Sequence, residues 1–331
     1  MRASLLVFLS LAFLAIASGC QSGETATGTP GGFVGGNDGI KLSFLESSPP
    51  DEVFETAGGN PFNFQAIVMV ENVGEHEIFA NELKVDLKGF FPGDFGVTGP
   101  IGTELTEPNS ENLIGVSKNS QGDVRKGSIE QLTFPENGNF AYGTLDVDQS
   151  FEFTAEACYM YVTTAVSQLC LKKDLRDANT EICSVSGSNP VSNSGAPVHV
   201  TSVVQDIAGT DSIRLDFEVR KVGNVDVFFT SEPTTRPKCE TSDYLGKDRV
   251  KVTVTTGVKA SNAGVECLGL ANIGADKASG ELILENGAAR FSCIQKLDGI
   301  DVVDGIKSFK ILLDYDVRES IDKTVLVKDV E

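Results

Sequence analysis

The chain has no tryptophan, two histidines, three methionines and five tyrosines in 331 residues. Without Trp and with few Tyr, it is poorly supplied with the flat rings that stack on sugars and line ligand pockets. Its histidines, His76 and His199, fall in different parts of the chain. A copper centre on a β-scaffold needs two His, a Cys and usually a Met close together. Both histidines are therefore read as turn or solvated residues, and no metal is expected. Basic residues are also scarce: 27 Lys+Arg stand against 47 Asp+Glu, a net charge of −20. Nucleic-acid binding needs clustered Lys and Arg against phosphate, so nucleic acid is excluded as a partner. Lying flat on anionic lipid is disfavoured for the same reason. No C-x-x-C, G-x-S-x-G, H-E-x-x-H or P-loop pattern occurs, which removes zinc ribbons, thioredoxin-like redox sites and the common hydrolase and nucleotide signatures. No cofactor is expected. No apolar run after the N-terminus reaches the ~20 residues of a membrane-spanning helix.

What is present begins at the N-terminus. Arg2 precedes an apolar run, Ala3–Ala17, and then Ser18, Gly19 and Cys20. This is the three-part pattern of an export signal. Ala17-Ser18-Gly19-Cys20 resembles the lipobox of prokaryotic lipoproteins, in which the cysteine carries the lipid and becomes the mature N-terminus. The resemblance implies a signal peptide over 1–19 and lipidation at Cys20. Cleavage by ordinary signal peptidase after Ala15-Ile16-Ala17 is the competing reading. Residues 20–38 are rich in Gly and Thr and read as a flexible tether of roughly 20–25 Å end to end.

Six cysteines remain: Cys158, Cys170, Cys183, Cys239, Cys267 and Cys293. An even number in an exported chain reads as disulfides. A turn at Thr163-Thr164-Ala165 would fold a hairpin and join Cys158 to Cys170. A turn at Asn286-Gly287 would send a strand back toward Cys293, beside Cys267. Cys183 and Cys239 would then pair by elimination, across a linker.

The body reads as all-β. Alternation of apolar and polar residues recurs, as in Ile40–Phe44, Leu83–Leu87, Val250–Val254 and Phe309–Tyr315, and period two marks half-buried strands. Asn137-Gly138 and Asn286-Gly287 carry hairpin-turn chemistry. Phe64–Phe79 and Ile213–Phe228 form an internal repeat in which Val73-Gly74 falls on Val222-Gly223. A weaker repeat pairs Ser150–Phe153 and Tyr161 with Ser308–Ile311 and Tyr315. These repeats predict two tandem β-sandwich domains, 39–185 and 196–331, joined by a Ser/Asn/Gly/Pro linker over 186–195.

The strand ending in Glu71-Asn72-Val73-Gly74, followed by a short polar turn and Leu83–Leu87, resembles the strand–N-x-G–strand signature of CARDB-type domains. These are immunoglobulin-like modules of archaeal and bacterial surface proteins. The second copy departs from the pattern with Lys221 in place of Asn72. The chain as a whole resembles uncharacterised cell-surface lipoproteins, a likeness that implies two immunoglobulin-like sandwiches and no assigned activity.

Remaining candidates are few. Gly89–Gly96 carries Phe90, Phe91 and Phe95 beside Gly and Pro; exposed, they would contact a partner, and buried, they would plug a sandwich end. Acidic loops at Asp174–Glu181 and Asp298–Gly305 lack EF-hand spacing. No catalytic residue is selected, although a carboxylate pair could serve glycoside hydrolysis. The sequence thus predicts an extracytoplasmic protein, anchored to the membrane by an N-terminal lipid. It would act without catalysis in display or interaction with a surface protein or glycan. The alternative is a solute- or glycan-binding lipoprotein.

Overall fold

The computed structural model describes residues 32–56, 60–98, 105–177, 179–232, 236–240, 245–260, 264–299 and 301–330. The export signal, Cys20 and the tether as far as residue 31 lie outside the described residues.

Among the described residues the chain is all-β, with one short 3-10 turn at Pro92–Phe95 and no α-helix. The first part contributes β1 (Ile40–Phe44), β2 (Glu52–Phe54), β3 (Ala66–Asn72), β4 (Leu83–Lys88) and β5 (Thr106–Pro108). There follow β6 (Ser117–Lys118), β7 (Val124–Arg125), β8 (Ile129–Phe134) and the long β9 (Gln149–Leu171). Next come β10 (Gly187–Ser188), β11 (Val191–Asn193), β12 (Val198–Ile207), β13 (Ser212–Lys221) and β14 (Asp226–Phe228). The chain ends with β15 (Arg249–Thr255), β16 (Val265–Cys267), β17 (Ala271–Gly274), β18 (Lys277–Ile283), β19 (Ala288–Lys296) and β20 (Gly305–Lys328). The alternation seen in the sequence becomes alternating burial. In β3 every second residue from Ala66 to Asn72 is buried, as the period of a pleated strand requires.

β9 and β20 organise everything else. At 23 and 24 residues, they are about four times the usual strand length. They pair antiparallel along their whole span, from Gln149 opposite Val327 to Leu171 opposite Gly305, with Tyr161 facing Tyr315 near the middle. β4 adds to the first part of β9, and β15 adds to the first part of β20. The far end of each long strand crosses into the other half. β2 runs parallel to the end of β20, and β11 lies along the end of β9. The result is one ten-stranded sheet. A three-stranded sheet, β1-β3-β8, covers the first half. A five-stranded sheet, β10-β12-β13-β19-β16, covers the second. A single buried apolar cluster runs through both halves.

This arrangement corrects three expectations. The chain does not turn at Thr163-Thr164-Ala165, because residues 149–171 contain no Gly, Pro, Asn or Asp and alternation continues unbroken through Thr163 and Ala165, both fully buried. Segments 39–185 and 196–331 are not separate sandwiches, since each lends a long strand to a shared sheet. Residues 186–195 are not a loose linker. They form β10 on β12 and β11 on β9, where the Asn193 amide exchanges two hydrogen bonds of 2.9 Å with the Val200 backbone. Ser and Asn here serve neighbouring strands rather than water.

The internal repeat fares better. β3 and β13 are each flanked by two partners in their covering sheets, β3 by β1 and β8, β13 by β12 and β19. Asn286 and Gly287 both adopt positive φ, 52° and 78°. The turn they make joins β18 in the large sheet to β19 in the covering sheet, so it links layers rather than paired strands.

Candidate functional site at the seam between the halves

The repeated Val-Gly dipeptide closes the same turn in each half. The N–H groups of Val73 and Gly74 both donate to the carbonyl of Gly39, just before β1. Those of Val222 and Gly223 both donate to the carbonyl of Pro197, just before β12. Each turn thereby ties the end of one strand to the start of its neighbour. Neither glycine has room for a side chain. A Cβ on Gly74 would overlap the Tyr161 hydroxyl and stand 2.7 Å from the Gly195 carbonyl oxygen. One on Gly223 would stand 2.7 Å from the Asn37 carbonyl oxygen and 2.8 Å from Pro197. Such close backbone approach requires glycine.

Asn72 explains the N of the first copy. Its buried side-chain amide donates to the carbonyls of His76 at 2.7 Å and Leu113 at 2.8 Å, fixing the loop after β3. In the second copy Lys221 instead pairs through its backbone N–H with Gly287, and the chain passes directly into β14.

The N-terminal segment runs through this seam. Val34 and Gly35 donate backbone N–H groups to the two carboxylate oxygens of Glu75, each at 2.9 Å. Gly195 donates to the same carboxylate at 2.7 Å, and Ala196 donates to the Gly36 carbonyl at 3.1 Å. Residues 32–38, expected to belong to the flexible tether, are thus bound to the body. The reason is local: Gly35 and Gly36 take φ of 81° and 122°, which glycine alone adopts freely.

Three buried tyrosines of the long strands tie the seam from below. Tyr161 donates to the Gly195 carbonyl at 3.0 Å and accepts from the His76 N–H at 3.2 Å. Tyr315 shares a 2.7 Å hydrogen bond with Thr163 and accepts from the Val198 N–H. Tyr159 donates to Glu319 at 2.8 Å. Burial pushes the Glu319 carboxyl up to about 7; the charge of Asp38 adds to the shift and the Tyr159 hydrogen bond opposes it. His76 lies edge-on to Tyr161, and burial lowers its pKa. His199, on β12, is also lowered by burial.

The other candidate residues are scattered. Phe95 is fully buried, and Phe90 packs beside it against Phe140 and Phe153. These two fill the end of the first half, while Phe91 stands 66% exposed. All six cysteines are disulfide-bonded, as Cys158–Cys239, Cys170–Cys183 and Cys267–Cys293. Cys267 and Cys293 face each other on adjacent strands, as expected. The expected Cys158–Cys170 and Cys183–Cys239 pairings are incorrect. With no hairpin at Thr164, Cys158 and Cys170 lie far along the same strand. Cys158 instead binds the loop after β14, and Cys170 binds the segment just beyond β9. In the acidic loop at 174–181, the Lys172 ammonium donates to the backbone carbonyls of Asp177 and Asn179. On the outer face of the large sheet, Arg236 bridges Asp314 and Asp316, each at 2.8 Å. Arg236 and Asp314 line an open groove beside Phe229 and Ile273, while Asp316 is buried beneath.

Sequence reasoning missed Glu75 and Gly195 and marked Tyr161 only as a repeat position; the three meet at the seam. The repeated Val-Gly was the signal that pointed there, because two glycines at equivalent turns imply two close backbone approaches.

No family model matches the chain. Over 247 residues, 70% of the chain, it is 23% identical to the protein named Outer membrane protein B of Rickettsia typhi, and it spans 14% of that protein's length. Among solved structures, the secreted serine protease VesC from Vibrio cholerae matches over 83% of this chain and 50% of that one. The identity is 9% and the TM-score 0.19, too low to carry an argument about fold or activity.

Proposed function

We infer that this is a non-catalytic surface protein, exported, anchored to a membrane through lipid on Cys20, and displaying a fused pair of immunoglobulin-like β-sandwiches for interaction with a partner. The observation that carries this reading is the triply disulfide-bonded, all-β body. Such bonding belongs to oxidising, extracytoplasmic surroundings. The similarity to a protein named for the outer membrane agrees with a surface location, and the acidic surface favours solubility there. The strand–N-x-G–strand resemblance at Asn72 and Gly74 supports a CARDB-like character for the first half. Phe91, exposed beside an aromatic-filled end, is the aromatic of its loop best placed to meet a protein or glycan partner.

Changing Cys20→Ser tests the anchor. The expected result is release of the protein from the membrane fraction into the medium, with a lipid-sized mass increment on the N-terminal peptide of the unaltered protein. An unmodified N-terminus in the unaltered protein would refute anchoring. Display is tested by proximity labelling on intact cells, with Phe91→Ala expected to reduce recovery of the captured neighbour.

A further inference from the structure

We propose that Glu75, Gly195 and the two Val-Gly turns form a binding groove for an extended glycine-rich peptide, that its ligand is the chain's own residues 34–38, and that occupancy pins the two halves together. The groove offers a carboxylate whose two oxygens take consecutive N–H groups, from Val34 and Gly35, each at 2.9 Å. It also offers the Ala196 N–H, which donates to the Gly36 carbonyl. Recognition is therefore by backbone rather than side chain. Val34, Asn37 and Asp38 are the segment's bulkier members, and Gly35 and Gly36 supply its positive φ, which glycine adopts freely.

The segment touches both copies of the repeat. The Asn37 carbonyl oxygen closes over Gly223, and the Asp38 carbonyl oxygen closes over Gly74. Glu75 itself is bridged to the crossing between the halves through the Gly195 N–H and through its own N–H to the Gly195 carbonyl. One carboxylate thus joins the N-terminal segment, the turn after β3 and the approach to β12. Charge-assisted hydrogen bonds from N–H to carboxylate are the stronger kind, and here three converge on one group.

A consequence follows for the anchor, and it rests on the lipid reading. Residues 32–38 of the expected tether are taken up by the body. The tether then leaves from the seam rather than from one end of the body, and a pull on it loads both halves together.

Hydrogen exchange on the full-length protein tests the groove. In the unaltered protein the amides of Val34, Gly35, Gly195 and Ala196 should be protected. Glu75→Gln keeps the shape and removes the charge, and should speed exchange at these four positions by at least about tenfold, leaving the centres of β9 and β20 unchanged. Gly36→Ala acts from the other side, since a Cβ there meets nothing within 4 Å but the φ of 122° becomes strained. It should free Val34 and Gly35 without touching Glu75. Unprotected Val34 and Gly35 in the unaltered protein would overturn the proposal, as would unchanged exchange in both variants. Neither readout depends on lipid, so a failure here is distinct from a failure of anchoring, which the Cys20→Ser fractionation reports.

Discussion

The two halves close the same Val-Gly turn yet are held together differently. The first half is filled with aromatic rings: Phe153 alone contacts Phe64, Phe90, Phe95 and Phe140. Its one internal disulfide, Cys170–Cys183, lies at the far end of β9, and its Cys158 reaches across to Cys239. The second half has one stacked pair, Phe217 on Phe291, a wider covering sheet, and a bridge between adjacent strands, Cys267–Cys293. Ring packing distinguishes the halves more than cross-linking does: Phe clusters in the first part, while each part has one internal disulfide and a third joins them.

The contrast can be broken at four points. The largest loss is expected from Phe153→Ala, about 4–5 kcal/mol, against about 3–4 kcal/mol for Phe217→Ala, which loses fewer ring neighbours. Chemical denaturation midpoints compare the two, and equal losses would erase the distinction. Next, replacing Cys158 and Cys239 together by Ser should remove about 4.5 kcal/mol in the chain-entropy model. The Cys267/Cys293 pair closes a shorter loop and should remove about 3.5 kcal/mol. The order of the two melting temperatures is the informative result.

Third, Gly74→Ala should destabilise by about 3 kcal/mol and Gly223→Ala by less, because Gly74 is hemmed in by Tyr161, Gly195 and Asp38 while Gly223 meets Asn37 and Pro197. A neutral Gly74→Ala would mean the turn is open. The smallest effect is electrostatic. Glu319 is raised in the folded state, so the folded protein holds its proton at pH values where the unfolded chain has lost it. Stability should therefore fall as pH rises from about 4.5 to about 7 and level off above. The loss should be about 2 kcal/mol after allowing for partial exposure. Glu319→Gln should flatten that slope in pH-resolved thermal melts.

Strand identity was legible because period-two alternation is a local property. Leu83–Leu87, Val250–Val254 and Phe309–Tyr315 all became strands, and the Val-Gly register of the repeat held in space. Pairing was less legible because it is decided at long range. The lack of turn residues within Gln149–Leu171 allows an unbroken strand of 23 residues, but its pairing depends on the matching length of Gly305–Lys328, over 130 residues away. The disulfides followed the same rule. Cys267–Cys293 could be read from a nearby turn, whereas Cys158–Cys239 depends on a sheet shared by both halves. Glu75 was hidden for a further reason. A carboxylate after a strand looks like any solvated turn residue until the segment that binds it is placed beside it.

The central claim is that β9 and β20 fuse the halves into one cooperative body. Native-state hydrogen exchange across a denaturant series tests it directly, with amides of β3 reporting the first half and amides of β13 the second. The fused sheet predicts that both sets converge on one unfolding isotherm with a common midpoint. Two isotherms with separate midpoints, one for each half, would contradict it.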